Sequence, residues 1–369
     1  MTSLSPARHE AWLTLALLEG LGARSLRRLF DVQPDPVALL SSTPSSLKAM
    51  GMSPRALEAL LRLRAGQDQE LKQRLALAWQ WSEQPGQHVL CLGEPDYPEL
   101  LRQIADPPAV LFVRGNPALL QDPQLAMVGT RHPSPRGAAT AREFASAFAA
   151  SGLCVTSGMA LGIDGACHQG ALEAGGHTVA VWGTGLDCCY PKRHAGLAET
   201  IVASGGALVS AFWPDTKAQP GQFPSRNRVI SGLSLGTLVV EASLNSGSLI
   251  TARLALEQNR EVFAMPGSIH NPQARGCHRL LRDGAHLVET VNDVLRVLHQ
   301  PLCQALQPSE DPRRSDNPLW RWLDNEPVSV DWLSEQSGQP VHVVLQRLMD
   351  LELEGLVLHG PAGYCRRPA

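Results

Sequence analysis

The sequence of 369 residues contains no uninterrupted apolar run of about 18 residues, the length that a membrane-spanning helix needs. It shows no basic N-terminal stretch followed by an apolar core and a small-residue cleavage site, so no secretion signal is recognised. Its eight cysteines are scattered, and no two of them have the Cys-x-x-Cys spacing. These absences predict a cytoplasmic protein with reduced thiols and no membrane association.

The common nucleotide-binding signatures are missing as well. No Gly-x-Gly-x-x-Gly follows the first predicted strand of the α/β region, and no Gly-x-x-x-x-Gly-Lys-Ser/Thr occurs anywhere. A dinucleotide cofactor and ATP hydrolysis are therefore not expected, and no cofactor is predicted. The adjacent Cys188 and Cys189 have no second ligand pair at a suitable spacing, so no metal site is predicted.

Charge of one sign is not in large excess, because the formal net charge is −3. Residues 1–90 carry ten Lys/Arg against eight Asp/Glu, residues 121–290 carry thirteen against twelve, and residues 311–369 carry six against nine. A nucleic-acid contact would therefore need a local cluster of cations in the first two regions. The acidic C-terminal region is a poor candidate for it.

Three regions differ in their pattern. Residues 1–80 predict short helices, and two glycine turns that precede helix starts resemble helix-hairpin-helix or SAM-like modules; a small helical interaction domain explains them equally well. Residues 81–298 predict the main domain, and residues 299–317, rich in proline and charge, a linker. Residues 318–369 predict three short helices and a hairpin, the pattern of a winged-helix domain, which serves protein interaction as well as DNA binding.

Between residues 121 and 290, short apolar runs alternate with amphipathic stretches. Because one helix separates each run from the next, the pattern predicts right-handed βαβ units and a Rossmann-like, doubly wound, mostly parallel sheet. The predicted strands are residues 125–129, 153–156, 178–182, 207–210, 237–241, 261–265 and 285–288. Ligands of such α/β sheets bind outside the carboxyl ends of the strands, so the loops there are the candidate site.

Those loops share one chemistry. They combine glycines, hydroxyl side chains and the N-termini of the following helices, which together form nests suited to phosphate. Several of them also carry arginine or lysine, and a row of phosphate pockets suits a polymer better than a single nucleotide. The predicted DNA-binding residues are Gly129, Thr130, Arg131, Ser157, Gly158, Gly183, Gly185, Lys192, Arg193, Arg226, Asn227, Arg228, Ser246, Gly247, Ser248 and Thr251. No catalytic residue is predicted.

Four side chains near these loops have a second interpretation. Asp164 and His168 could form an acid–base pair, but a helix-capping aspartate and a packing histidine are favoured. Glu241, at the end of a strand, is interpreted as a structural hydrogen-bond acceptor and not as a catalytic base. Trp213, in a loop beside the predicted site, is the tryptophan chosen for base stacking.

One series of motifs runs in a fixed order through the α/β region. It consists of residues 128–131, 157–164 with Ala166 and His168, 183–187 with Tyr190-Pro191, 223–228, 241–242, 246–252, Pro266-Gly267, Gly276 and Gly284-Ala285. This series resembles the DNA-processing protein A family, also called DprA or Smf. The resemblance implies a non-enzymatic protein that binds single-stranded DNA, loads the RecA recombinase onto incoming strands and acts in natural transformation.

Two other classes of function are left open. Rossmann-type enzymes that cleave nucleoside monophosphates have a similar layout, but they carry Pro-Gly-Gly-x-Gly-Thr and a following glutamate. Here Pro266-Gly267-Ser268 lacks the second glycine and the glutamate. A pure adaptor could instead recruit recombinase through the C-terminal domain, with little DNA affinity of its own.

The last βα unit predicts a homodimer. Residues 276–288 supply an edge strand and a helix, and the candidate interface residues are His278, Leu281 and Leu287. An exposed edge with apolar neighbours is a liability that a symmetric partner covers. The family resemblance points the same way.

Overall fold

The computed structural model describes residues 6–306, 317–323, 327–353, 356–360 and 363–366. The chain divides into two compact units, Met1–Ala305 and Leu306–Ala369. Within the described ranges, no helix combines the length and the apolarity needed to cross a bilayer.

The first unit contains helices throughout and one large sheet. Its helices are α1 (Pro6–Leu17), α2 (Ala23–Val32), α3 (Pro36–Ser41), α4 (Pro44–Ala49), α5 (Pro54–Arg64), α6 (Gln69–Ser82), α7 (Glu99–Arg102), α8 (Pro135–Ala150), α9 (Ile163–Glu173), α10 (Ala195–Ala203), α11 (Gln222–Gly232), α12 (Ser248–Glu257), α13 (Arg275–Arg282) and α14 (Val291–Leu306), the last of which reaches the unit boundary. Its strands are β1 (Gln87–Cys91), β2 (Val110–Gly115), β3 (Gln124–Val128), β4 (Cys154–Ser157), β5 (Thr178–Trp182), β6 (Ala207–Ser210), β7 (Gly236–Val239), β8 (Glu261–Ala264) and β9 (His286–Leu287).

The predicted linker, residues 299–317, is described only at its two ends. Helix α14 continues through residue 306, so the first part of that stretch is helical. Residues 307–316 lie outside the described residues. The remaining domain boundaries taken from the sequence stay predictions.

The short N-terminal helices begin where the sequence supplies side-chain caps and proline. Thr43, Ser53 and Asp68 each accept a backbone N–H from the first turn of their helix. Pro44 and Pro54 stand at first helical positions, where the missing N–H costs nothing. These local signals explain why the sequence predicts helices and no strands in this region.

The N-terminal helices and the sheet share one hydrophobic core. Trp81 of α6 packs edge-on against Phe112 of β2, with ring centroids 5.4 Å apart. Trp12 of α1 and Leu60 of α5 are buried in the same cluster as the central strands. The helical region and the sheet therefore lie in one compact unit.

Among the described residues, nine strands form one sheet in the order β1-β2-β6-β5-β4-β3-β7-β8-β9. Strands β3 to β9 pair in parallel, whereas β2 pairs antiparallel with both β1 and β6. Strands β3 to β7 are buried along their whole length, and strands buried on both faces have near-continuous apolar sequences. The predicted Rossmann-like, mostly parallel sheet is confirmed, although the prediction missed β1 and β2.

The strand order reverses at β3. This strand pairs with β4 on one side and with β7 on the other. The chain that leaves the carboxyl end of β3 therefore turns to one side of the sheet, and the chain that leaves β7 turns to the other. A crevice opens between such connections, and it is the usual ligand position in this class of fold.

The second unit is a small helical domain with a hairpin. It contains a short 3-10 turn (Trp320–Trp322), α15 (Val330–Ser337), α16 (Val341–Leu353), β10 (Val357–Gly360) and β11 (Gly363–Arg366). A bridge joins Val328 to Tyr364, so a third extended segment flanks the hairpin. Leu333 and Leu348 are fully buried in its core. The predicted winged-helix domain is confirmed.

Candidate nucleic-acid interface

A cleft of about 600 Å³ lies at the carboxyl edge of the sheet, between the connections that follow β3 and β7. Its walls come from the loop after β3 and from the first turns of α9, α11 and α12. We refer to it as the first cleft. The predicted residues that line it are Gly129, Thr130, Arg131, Arg226, Asn227, Ser246, Gly247, Ser248 and Thr251.

The loop after β3 is fixed to its neighbours through its backbone. Thr130 N donates to Glu241 O at 2.7 Å, and Ile163 N donates to Thr130 O at 3.2 Å. Gly162 has a φ of +83°, and a Cβ at this position would collide with Thr130 O, so the close approach requires glycine. These backbone contacts place Arg131 at the mouth of the cleft, and the arginine side chain is not needed to hold the loop in position.

Glu241 anchors the start of α8 to the end of β7. Its carboxylate accepts hydrogen bonds from Ser134 N at 2.9 Å, from Ser134 Oγ at 2.7 Å and from Asn271 Nδ2 at 3.3 Å. Gly137 packs so closely that a Cβ there would collide with the carboxylate. Because three donors already occupy the carboxylate, the predicted hydrogen-bonding role of Glu241 is confirmed.

A cation and two aromatic rings form the edge of the first cleft. The guanidinium of the exposed Arg131 lies over the ring of Phe223, 5.6 Å from its centroid. Phe223 contacts the ring of Tyr190, with centroids 5.4 Å apart, and Tyr190 is 47% exposed. We call these three residues the aromatic rim. Its chemistry can bind a phosphate through the cation and stack on a base through a ring.

The aromatic members of this rim were missed by the sequence reading, although both lie inside the recognised motifs. Phe223 comes three residues before Arg226, and Tyr190 precedes Pro191. An aromatic residue beside a phosphate-binding loop is the signal that would have found them. Trp213, which the sequence favoured for stacking, lies outside the first cleft and packs on Phe112, with centroids 5.3 Å apart.

Arg226 closes the floor of the first cleft and is 5% exposed. Its guanidinium donates to Gly158 O at 2.6 Å, to Asn227 Oδ1 at 3.2 Å and to Val181 O. Burial lowers the pKa of Arg226 to about 10, and the nearby Asp164 carboxylate opposes that shift. Because these N–H groups already donate to acceptors within the protein, Arg226 stabilises the floor of the cleft.

Asp164 is the second residue of α9 and does not cap it. The N-cap position is Gly162, and Asp164 Oδ2 accepts from Ala160 N at 3.3 Å. A Cβ on Gly158 would lie 2.8 Å from both Asp164 Oδ2 and the Arg226 guanidinium. Burial raises the pKa of Asp164, and the positive charge of Arg226 restrains the rise. The interpretation of Asp164 as a helix cap is therefore wrong.

His168 is a packing residue, as the sequence favoured. Its side chain is completely buried, and Nδ1 lies 2.7 Å from Thr178 Oγ1. Burial, together with the nearby His194 and Arg226, lowers the pKa of His168 to about 3. A neutral, enclosed imidazole of this kind supports the α9–β5 contact and does not reach the cleft.

Three predicted residues lie under the cleft as packing positions. A Cβ on Gly183 would meet the Phe223 ring at 2.7 Å, and a Cβ on Gly185 would collide with Trp213 O. Ser157 is buried, and its Oγ donates to a backbone carbonyl of β3 at 2.6 Å. These residues shape the walls and do not face the solvent.

The remaining predicted cations lie outside the lining of the first cleft. Arg228 donates to Asp106 O, and its guanidinium is 3.9 Å from the Asp106 carboxylate, so it braces α11 against the segment before β2. Burial lowers the pKa of Arg228. Lys192 and Arg193 are exposed in the 3-10 turn that follows Tyr190. Arg228 is therefore a brace, whereas Lys192 and Arg193 remain available to a ligand.

The predicted dimer residues lie at the far end of the sheet from β1. In the described part of the chain, strand β9 has a pairing partner on one side only, and Leu287 on it is 50% exposed. Leu281 is partly buried against the core, and His278 Nε2 lies 3.0 Å from Gly267 O.

No metal centre accompanies the cleft in the part of the chain that the structure describes. There, no three His, Cys, Asp or Glu side chains are grouped so that they could hold an ion. Most polar groups of the first cleft are amides, hydroxyls and guanidinium groups, which suit anions; its lining also includes His132 and the buried carboxylate of Asp164, which lies beside Arg226.

Comparison with known proteins agrees with both units. Residues 88–299 match the family model of DNA recombination-mediator protein A, and residues 304–363 match the DprA winged helix domain. The chain is similar to protein Smf of Escherichia coli (strain K12), with 44% identity over 295 residues that cover 78% of this chain and 79% of that protein.

Two solved structures are also similar. The X-ray structure of DNA processing protein A from Streptococcus pneumoniae gives a TM-score of 0.66 at 34% identity and covers 80% of this chain and 98% of that one. DNA processing protein A from Helicobacter pylori, whose single-stranded DNA binding mode has been described, gives 0.52 at 28% identity, covering 58% of this chain and 96% of that one. With its sheet, its cleft motifs and its winged-helix unit all matched, this chain belongs to the DNA recombination-mediator protein A family.

Proposed function

We propose that this protein binds single-stranded DNA in the first cleft. The observation that carries the proposal is the aromatic rim, where an exposed guanidinium and two rings stand above a cleft lined by glycines and hydroxyls and closed at its floor by Arg226. Within the described residues, no carboxylate forms an ion pair with Arg131, so its charge is available to a phosphate. The binding reported for the Helicobacter pylori relative supports the same ligand.

The shape of the site favours a single strand over a duplex. A single strand can place a phosphate beside Arg131 and turn its base onto Phe223 or Tyr190, whereas paired bases stay stacked inside a duplex. The contacts use a charge and ring faces, which every nucleotide can satisfy. We therefore expect binding with little sequence preference and a strong dependence on salt.

The cellular role that we propose follows from single-stranded DNA binding and from the family to which the chain belongs. We propose that the protein protects incoming strands in the cytoplasm and loads the RecA recombinase onto them during natural transformation. A pure adaptor is the alternative, and it requires the isolated protein to bind DNA weakly. The binding experiment below therefore separates these two functions.

We also propose that the protein is not an enzyme. Glu241, the carboxylate that follows β7, already accepts hydrogen bonds from three donors. Asp164 lines the first cleft, but it is 6% exposed and lies beside Arg226. Incubation with nucleoside monophosphates should accordingly release no free base, and release of a base would favour the nucleosidase alternative.

Replacing Arg131 by alanine tests the proposed DNA site. Each phosphate contact contributes roughly 0.7 to the slope of log affinity against log salt for single strands, so Arg131→Ala should lower the slope by about that amount. Affinity should fall equally for dT, dA and mixed oligomers. Fluorescence anisotropy across a salt series measures both quantities.

The matched control is Arg253→Ala, which removes an exposed arginine of α12 that pairs with Glu257 across one helical turn. It should leave affinity and slope unchanged. An Arg131→Ala protein that binds as tightly as the wild type, with the same slope, would show that the first cleft does not hold DNA.

We further propose that β9 forms the interface of a homodimer. Light scattering should give about twice the chain mass of 39.8 kDa. Leu287→Arg should reduce this to the mass of one chain, because it places a charge on the exposed edge strand. Leu256→Arg is the control, since Leu256 is a similarly exposed leucine on α12. A wild-type mass of one chain at micromolar concentration would contradict the dimer.

A further inference from the structure

A second cleft of about 170 Å³ lies between α6 and the segments that follow β5 and β6. It is separate from the first cleft, and one of its walls belongs to the N-terminal helices. Its lining residues are Arg74, Leu77, Ala78, Gln80, Trp81, Gln84, Asp187, Trp213, Pro214 and Asp215. None of them is among the sixteen predicted DNA-binding residues, although Trp213 is the tryptophan that the sequence favoured for base stacking.

The second cleft exposes apolar and aromatic surface beside a cation. The guanidinium of Arg74 lies 5.4 Å from the ring centroid of Trp213, and Leu77 is 55% exposed. Within the described residues, Arg74 forms no ion pair with a carboxylate. A planar guanidinium backed by a tryptophan ring is a surface on which a base can stack.

Two carboxylates at the second cleft show which part of a nucleotide it suits. Asp187 accepts a hydrogen bond from Trp81 Nε1 at 3.0 Å, and both Asp187 and Asp215 are exposed. Carboxylates repel a phosphate, but they accept the N–H groups that every nucleobase carries on its edge. The interior therefore suits a base, and the phosphate would stay outside, near the arginine.

One short segment connects the two clefts. Residues 213–215 line the second cleft and residues 218–220 line the first, so at most about 11 Å separates the Cα atoms of 215 and 218. The exposed Lys217 lies between them in the sequence. A strand that leaves Arg131 would pass this lysine before it reaches Arg74.

We propose that the second cleft is a subsite for the same single strand, and that it takes a base of the segment leaving the first cleft. The proposal rests on the proposed function of the first cleft. It assigns Arg74 and Lys217 to the phosphates on either side of that base. It also makes the N-terminal helices part of the DNA-binding surface, through α6.

The test compares Arg74→Ala with wild type on dT oligomers of increasing length. Oligomers short enough to fill only the first cleft should bind both proteins equally. Longer oligomers should bind Arg74→Ala about tenfold more weakly, because one stacked base and one phosphate contact are lost, and the salt slope should fall by about 0.7. Lys72→Ala, an exposed cation on the same helix that lines neither cleft, should match the wild type at every length.

Crosslinking locates the base directly. Oligomers with a single 5-iodouracil at successive positions are irradiated with the wild-type protein, and the crosslinked peptides are mapped by mass spectrometry. One position should crosslink to Phe223 or Tyr190, and a position further along the strand should crosslink to Trp213. Crosslinks confined to the first cleft at all positions would overturn the second subsite.

The two proposals fail in different ways. If Arg131→Ala weakens binding but Arg74→Ala binds long oligomers like the wild type, the first cleft holds DNA and the second does not. If neither substitution weakens binding, the proposed function itself is wrong.

Discussion

Replacing Arg226 by methionine is expected to lower the free energy of unfolding by about 3–5 kcal/mol, because it removes the main compensating charge near a buried carboxylate together with several buried hydrogen bonds. Methionine fills a similar volume, but it donates no hydrogen bonds. The carbonyl oxygens of Gly158 and Val181 lose a donor, and the enclosed Asp164 loses the larger of the two positive charges that act on it, Arg131 being the other. Urea unfolding followed by circular dichroism measures the loss.

The same variant should show a characteristic dependence on pH. Burial raises the pKa of Asp164 above its ordinary 3.8, and without Arg226 we expect the pKa to rise further. When the folded-state pKa of an acid is raised, its burial costs nothing below the ordinary pKa and costs the full amount above the folded pKa. The deficit of Arg226→Met should therefore be largest at neutral pH and should shrink as the pH is lowered toward 4.

The double variant Arg226→Met/Asp164→Asn provides the control. Removing both charges should restore part of the lost stability at neutral pH, because no uncompensated charge remains buried. It should also abolish the pH dependence of the deficit. A deficit that is equal at neutral and acidic pH would show that Arg226 acts only through its hydrogen bonds to carbonyl groups.

The parallel part of the sheet was predictable because each of its strands carries its own signal. Strands β3 and β5, for example, are short apolar runs. A helix between two consecutive runs of this kind indicates a parallel crossover. Strands β1 and β2 have no such context. They pair antiparallel at the β6 edge, and no local spacing in the sequence marks that long-range choice.

The orientations of the predicted DNA-binding cations were harder to predict than the positions of the loops. The sequence placed Arg226 and Arg228 in a segment that precedes a strand. In the structure α11 begins at Gln222, and proline is tolerated in the first turn of a helix. A helix turns residues two positions apart to opposite sides, which is why Arg226 lies in the cleft floor and Arg228 lies against Asp106.

The glycines and hydroxyl residues of the sequence identified where the first cleft lies, but they did not identify the aromatic rim at its edge. Nine of the sixteen predicted residues line the first cleft, and that was enough to place it. The aromatic rim depends on how α11 sets Phe223 between Arg131 and Tyr190. This arrangement joins three separate segments, so no single motif encodes it.

Replacing Glu241 by glutamine is expected to weaken single-stranded DNA binding about tenfold while the protein stays folded. The carboxylate accepts hydrogen bonds from Ser134 N, Ser134 Oγ and Asn271 Nδ2. A glutamine amide keeps only one acceptor oxygen, and its NH2 group would face at least one of these donors. Hydrogen bonds to a charged group contribute about 1.5–3 kcal/mol, so losing one is enough to loosen the loop that carries Arg131. Fluorescence anisotropy with oligo-dT measures the affinity.

Glu241→Gln should act through Arg131, because Glu241 positions the loop and does not itself face the DNA. The double variant Glu241→Gln/Arg131→Ala should therefore bind about as weakly as Arg131→Ala alone, since effects that share one contact do not add. Glu257→Gln, which alters only an exposed pair on α12, is the matched control and should bind like the wild type. If the effects of Glu241→Gln and Arg131→Ala add in full, the carboxylate influences binding by a route other than the Arg131 loop. The hydrogen bond from Asn271 to Glu241 is then the contact to examine, because Asn271 lies in the segment that leads into α13 and the β9 edge.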